Sequence, residues 1–445
     1  MRIQLSEHFG YGKLIRFVFP SIAMMVFTSI YGVVDGLFVS NFVGKVSFAA
    51  INLMMPLFMI LGAVGFMVGA GGTAIVGKTI GQGKREKANE YFSMLIYITA
   101  IIGVFTVIAG QVFLPSVARL FGAEGEMLEA CVLYGRIVIS AMPFFMLQNV
   151  FQSFFVTAEK PKLGLYVIVI AGVMNMVLDA LLVAVIPLGL AGAAIATSIS
   201  QFFGGVIPII YFLRKNDSLL RLTKTRFYGN VLLKTVTNGS SELMSNISAS
   251  IVTILFNYQL MRFAGDNGVA AYGVVMYVSF ILAAIFIGYS IGSAPIVSFN
   301  FGAENKAEMK NVFTKSSVMI LLSSLIMTAL SFILAKPLSA VFVGYDEALL
   351  SITVRGFKIF SFSFLFCGMN IFGSAFFTAL NNGVVSAVIS FLRTFVFQCA
   401  GVLILPMLFK SGLDGVWVSI IVAEGLAFIL TLALLVKNKK KYGYM

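Results

Sequence analysis

A chain of 445 residues that is 59% hydrophobic and 11% charged is excluded from the ordinary soluble class, where about a quarter of residues carry charge. Its net charge of +13 is scattered over alternate loops, which excludes the single basic face a nucleic-acid partner needs. Three cysteines, Cys131, Cys367 and Cys399, all lie in apolar stretches and provide neither a disulfide framework nor metal-ligand spacing.

Apolar stretches of about 20 residues or more recur along the chain, each long enough to cross a hydrocarbon core of about 30 Å. The first, 14–41, is too long for a secretory h-region and has no small-residue cleavage site after it, so it reads as a retained span. It carries Asp35 late in its course. The second, 47–78, closes on "GTAIVGKT" (Gly72 to Thr79), a literal match to the phosphate-binding loop. That loop needs a preceding strand and exposed backbone amides. Here the match ends an apolar helix, and Lys78 marks the end of the span.

Spans at 91–117 and 128–157 follow, with Arg136 close enough to an outer helix end to snorkel. The fifth span, 162–187, contains "NMVLD", in which Asn175 and Asp179 lie one helical turn apart on one face. Asp179 is the only charged residue between Lys162 and Arg214, and a carboxylate in such a segment is costly unless it has a task. The amide beside it can donate to a carboxylate or accept from a carboxylic acid, so the pair suits either protonation state. The sixth span, 190–213, carries Thr197.

The basic stretch Arg214 to Arg226 is the longest polar connection. It divides the chain into a first six-helix lobe, 1–213, a linker, 214–230, and a second lobe, 231–445. Spans at 231–263, 268–299, 312–342, 348–380, 384–409 and 413–436 complete a set of twelve. Glu242 falls near mid-depth of the seventh. Arg355 and Lys358 can snorkel, whereas Arg393 is deeper and has Glu424 of the last span as a candidate partner. His8 precedes the first span and reads as a surface residue.

The two halves repeat each other. "IGQGKREKANEYF" (Ile80 to Phe92) aligns with "FGAENKAEMKNVF" (Phe301 to Phe313) at an offset of 221, which also pairs Gly71 with Gly292 and Asn149 with Asn370. Six spans per copy is an even number, so the copies share one topology and are related by an axis along the membrane normal. Substrate sites in such carriers lie between the repeats near the midplane. Basic residues fill alternate loops, while Glu124, Glu126, Glu129, Asp266 and Asp414 occupy the intervening ones. By the positive-inside rule both termini are cytoplasmic, in a multi-pass protein of the cell (inner) membrane. The fold class is an all-α polytopic membrane protein of two parallel six-helix repeats.

The chain resembles the multidrug and toxin extrusion (MATE) family, in its bacterial MepA-like branch. "VVDGLFVSNFVG" in span one, "IGQGK" after span two, "NMVLD" in span five, "GLAGAAIATSISQ" entering span six and the second "FGAEN" carry the resemblance. It implies the MATE-like architecture of the MOP superfamily, and outward export of amphipathic, mainly cationic drugs or toxins coupled to inward H+ or Na+. It further implies a cation or proton site at Asp35, Asn175 and Asp179, with Thr197 beside them. Glu242 matches an acid that in the NorM-like branch belongs to a Na+ site, but the aspartate that branch uses in span ten is missing from Leu349 to Leu380. That absence favours H+, since Na+ wants several oxygen ligands whereas a proton needs one carboxylate. Glu242 is then free to bind cationic cargo directly. The expected partners are small cationic or amphipathic substrates and membrane lipids. No nucleic acid, no metal and no cofactor beyond the transported ion are implied, and no oligomer is demanded. A lipid-linked oligosaccharide flippase of the same superfamily is the principal alternative, and a passive channel a lesser one. A membrane enzyme lacks any nucleophile–base or metal-ligand cluster.

Overall fold

The computed structural model describes residues 3–409 and 411–445, apart from the side chains of residues 33, 35–41 and 45. The first half runs α1 (Tyr11–Phe42), α2 (Lys45–Gly81), α3 (Arg85–Leu120), α4 (Gly125–Ser140), α5 (Met142–Thr157), α6 (Pro161–Asp179) and α7 (Gly189–Leu213). The second half runs α8 (Gly229–Gly302), α9 (Lys306–Val343), α10 (Glu347–Ser361), α11 (Phe364–Ala379), α12 (Gly383–Phe391), α13 (Phe397–Leu408) and α14 (Gly412–Tyr442). Among the described residues nine helices are long and apolar enough to cross a membrane, rising to eleven when the bent pairs α4–α5 and α10–α11 each count as one span.

The twelfth crossing is inside α8. At 1.5 Å per residue its 74 residues would reach about 110 Å, several times the hydrocarbon thickness. The helix breaks at Gly265, whose φ of 59° and ψ of −150° belong to a region open essentially to glycine alone. Phe256 and Tyr272, on either side of the break, stack with ring centroids 5.3 Å apart. The loop expected between 263 and 268 is thus a one-residue reversal, and the two limbs of α8 form an antiparallel pair.

Repeat symmetry extends to irregularities. The fourth span of each half is bent, by 53° between α4 and α5 and by 52° between α10 and α11. Pro143 stands at the start of α5, but its repeat position is Phe364, so proline is not what imposes the bend. Each fifth span contains a π-helical segment, 180–185 after α6 and 392–396 between α12 and α13. The turn after each second span puts one residue in the left-handed region, Gly83 in the first copy and Glu304 in the second. Side chains of Asn305, Asp346 and Asn382 cap the helices that follow them, satisfying otherwise orphaned backbone amides.

Contacts between the halves gather at the end that carries both termini. There α1 and α2 pack against α8 with no space for larger residues. A Cβ at Gly71 would lie 2.7 Å from the Gly239 nitrogen, and one at Gly239 would lie 2.7 Å from the Met67 carbonyl carbon. Gly81 meets Ala303 in the same way at 2.9 Å, and Gly302 meets Lys78 at 2.7 Å. On α1, Val18 and Ile22 face Gly292 and Gly288 of α8. Small residues here let backbones approach closely, the usual device for helix pairing in lipid. Further from the termini, α2 turns to its own half, with Gly65 against Met146 of α5.

Residues 3–10 are built into this seal. Leu5 and Phe9 are fully buried, in one apolar cluster with Val18 of α1, Val156 of α5, Ile296 of α8 and Tyr444. The Leu5 amide donates to Glu159 Oε1 of the first half at 2.8 Å. The Phe9 amide donates to Glu308 Oε1 of the second at 2.9 Å. His8 is exposed, as its position suggests, but its Nδ1 also sits 2.7 Å from Glu308 Oε2.

Candidate functional site

Three groups of ionisable side chains lie within the bundle. On α6 the enclosed face reads Gly164, Ile168, Ala171, Gly172, Asn175 and Asp179, the i, i+3, i+4 stripe of a helix that turns one side inward. Asp179 is 0% exposed and Asn175 2%. Asn175 Oδ1 has no hydrogen-bond partner among the described residues. Asp179 is the last α-helical residue before the π-helical segment, a widened turn that frequently accompanies function.

Neighbouring helices fix the surroundings of this pair. Gly172 abuts the rings of Phe27 and Tyr31 on α1, and α1 also touches the π-helical segment. On the other side α7 runs antiparallel to α6. Ser200 Oγ donates to the Ala171 carbonyl at 2.8 Å, and a Cβ at Gly192 would lie 2.7 Å from the Leu182 oxygen. Asn175 and Asp179 lie between these two crossings on one strand of the hairpin and the half-buried Thr197 on the other. Three of the four expected coupling residues are therefore brought to one level. The fourth, Asp35, belongs to α1, but its side chain lies outside the described residues.

The second half encloses its charge differently. Arg393 lies in the π-helical segment, none of whose residues is fully buried. Its Nε donates to both carboxylate oxygens of Glu424, at 2.9 and 3.0 Å, and its Nη2 reaches Cys367 Sγ at 3.3 Å. Asn370 donates to Glu424 Oε2 at 2.8 Å and to its carbonyl at 3.0 Å, while Thr431 donates to Asn370 Oδ1 at 3.1 Å. Each member has partners, so the pair is compensated where a lone buried charge would cost several kcal/mol. Asn370, Thr431 and Cys367 escape the sequence reading, although Asn370 carries a signal there as the repeat partner of Asn149.

Glu242 stands apart, half-buried on the first limb of α8. Its carbonyl accepts from Asn246, while its carboxylate makes no ion pair or hydrogen bond among the described residues. The π-helical segment that carries Arg393 packs against α8. Nearer the surface, Arg355 pairs with Asp414 at 2.6 Å and Lys358 lies over the Phe332 ring. The glycines of "GTAIVGKT" are packing residues: Gly72 meets Leu95 and Phe154, Gly77 meets Ser298, and the whole stretch is helical.

Two six-span halves with ionisable groups enclosed within the bundle, sealed together at one end, define a multi-pass membrane transporter. The chain belongs to the MatE family, whose model matches residues 20–181 and 243–403, one stretch in each half. A model described as lipid II flippase MurJ matches residues 138–240. Among curated relatives, the multidrug export protein MepA of Staphylococcus saprophyticus is 25% identical over 92% of this chain and 90% of its own. The MepA of Staphylococcus aureus strain MRSA252 is 24% identical over 93% and 90%. Two solved structures share the fold. One, described as the outward-facing conformation of a multidrug resistance MATE family transporter of the MOP superfamily, superposes with a TM-score of 0.93 at 21% identity over 99% of this chain and 98% of that one. The other, a MOP superfamily transporter from Pyrococcus furiosus, has a TM-score of 0.91 at 22% identity over 98% and 97%, and its description reports a reversed polarity of the binding pocket.

Proposed function

We propose that the protein is a proton-coupled antiporter that exports amphipathic, mainly cationic small molecules by alternating access, with both termini in the cytoplasm. The observation that carries this reading is the acid and amide of the first half, Asp179 and Asn175, both buried one turn apart on the enclosed face of α6 where it passes into a π-helical segment. Asp179, Asn175, Asp35 and Thr197 are the coupling residues, and Glu242 is the carboxylate for cargo. A proton needs only one of these carboxylates, whereas Na+ wants a shell of oxygens and Leu349 to Leu380 offers no aspartate to complete one with Glu242. With the termini in the cytoplasm, the seal at the terminal end closes the inner side, which supports an outward-facing state. Protonation from outside removes the charge of the first half, its helices repack, and cargo leaves outward. Loss of the proton to the cytoplasm resets the cycle. The relatives named as multidrug export proteins support the export reading.

A flippase reading draws on the MurJ match. An anionic lipid headgroup would need free cations at mid-depth, however, and Arg393 is already paired. The test is uptake in proteoliposomes with pH and Na+ gradients imposed separately. Uphill movement of a lipophilic cation under the pH gradient alone is expected. Transport that follows only the Na+ gradient, or none for cations, would overturn the proposal.

A further inference from the structure

Arg393 lies among two carboxylates and a thiol in the second half. Glu424 holds its Nε with both oxygens, Cys367 takes Nη2, and Glu242 stands on the limb of α8 that the Arg393 span follows, from Gly383 beside Asn238 to Val402 beside Gln259. A guanidinium has five N–H donors in a fixed fork, so this arrangement leaves the Nη1 edge unused among the described residues. The half-exposed π-helical segment that carries Arg393 packs against α8, which puts that edge and Glu242 in neighbouring elements. With Arg393, Glu424 and Glu242 ionised the trio carries one net negative charge, enough for one monovalent cation. Without Glu424 the trio is neutral, and the free guanidinium becomes the nearest counter-ion for Glu242.

We propose that Glu424 is a positioning residue, which holds the Arg393 guanidinium away from Glu242 and so keeps that carboxylate open to a monovalent cationic cargo. The proposal rests on the reading of Glu242 as the cargo carboxylate. Asn370 and Thr431 extend the anchor: Asn370 fixes the second oxygen of Glu424 and is itself fixed by Thr431. Arg393 is then a tethered competitor of the cargo, restrained by the acid behind it. A pair that served only to stabilise the fold would give no reason for Arg393 to matter to ligand choice.

Binding of radiolabelled tetraphenylphosphonium to the purified full-length protein tests this, with size-exclusion profiles checked for each variant. Glu424→Gln should weaken binding by about tenfold or more, the equivalent of ~1.4 kcal/mol. Removing the competitor as well, in Glu424→Gln with Arg393→Gln, should bring affinity back to within about threefold of wild type, which corresponds to ~0.7 kcal/mol. Arg393→Gln alone should bind at least as tightly as wild type. A double variant as weak as Glu424→Gln, or an Arg393→Gln protein that loses affinity, would overturn the proposal. Glu242→Gln is the separate check on the underlying reading: if it binds the probe like wild type, Glu242 is not the cargo group and the failure lies there.

Discussion

Gly239→Ala should unseal the terminal end without unfolding the protein. The added methyl would sit 2.7 Å from the Met67 carbonyl carbon and closer still to its oxygen, whereas carbon atoms rest at about 3.5–4.0 Å. The α2 and α8 backbones must therefore part by roughly 1 Å, which forfeits a quarter to a half of each contact along the seam. Overpacking of this kind costs about 1–3 kcal/mol. Because the strained contact belongs to one conformation of the transporter, the cost falls on the sealed state and shifts the population about 5–150-fold toward the other. Labelling of Ser298→Cys by an impermeant maleimide, in a background with the three native cysteines replaced, reports the opening, since Ser298 lies buried on α8 against Gly77 of α2 within the seam. The rate should rise steeply in Gly239→Ala vesicles that expose the terminal end. Gly273→Ala, which meets nothing within 4 Å, is the control and should change nothing. An unchanged labelling rate in a stable Gly239→Ala protein would refute the claim that this seam closes the cleft.

Asp179→Asn keeps shape but removes the titrating group, so insertion and folding should survive while pH-driven export is lost; uphill export by the reconstituted variant would assign Asp179 a structural role only. Asn175→Leu should be milder, lowering the transport rate without abolishing coupling in the same proteoliposomes. Glu308→Ala should free the Phe9 amide, whose hydrogen bond to a carboxylate is worth about 1.5–3 kcal/mol, and speed its hydrogen exchange by about 10–150-fold. Arg355→Ala strips an exposed arginine from a mostly buried aspartate and should lower stability by about 1–3 kcal/mol in thermal melts.

Hydropathy and loop charge were enough to lay out the spans, because lipid leaves a backbone few alternatives to helix. The repeat was legible too, since packing glycines and turn residues such as Gly83 and Glu304 must recur wherever the same bend recurs. What remained hidden depends on the third dimension. A π-helical turn leaves no periodicity of its own in "ALLVAV" or "LRTFV". Gly265 looks like any loop glycine until the chain reverses on it. Asn370 shares a register position with Asn149, yet one binds Glu424 at 2.8 Å and the other only a distant Gly62 carbonyl at 3.5 Å. Arg393 and Glu424 could be suspected of pairing from their depths, but the thiol and amide that complete their surroundings come from α11, which precedes both in sequence.

The segment that ends at Phe9 has a bearing on how the molecule is made. Its anchors, Glu159 and Glu308, lie 154 and 299 residues further along the chain. As the ribosome delivers the polypeptide, Leu5 and Phe9 emerge before both anchors and have no complete resting place until α9 has been synthesised and inserted. Contacts of such long separation form slowly, after loop closure has been met. The segment therefore waits undocked while the chain between it and its anchors is made, with two apolar side chains for holding factors to grip, and its docking marks the moment when both anchoring helices are in place.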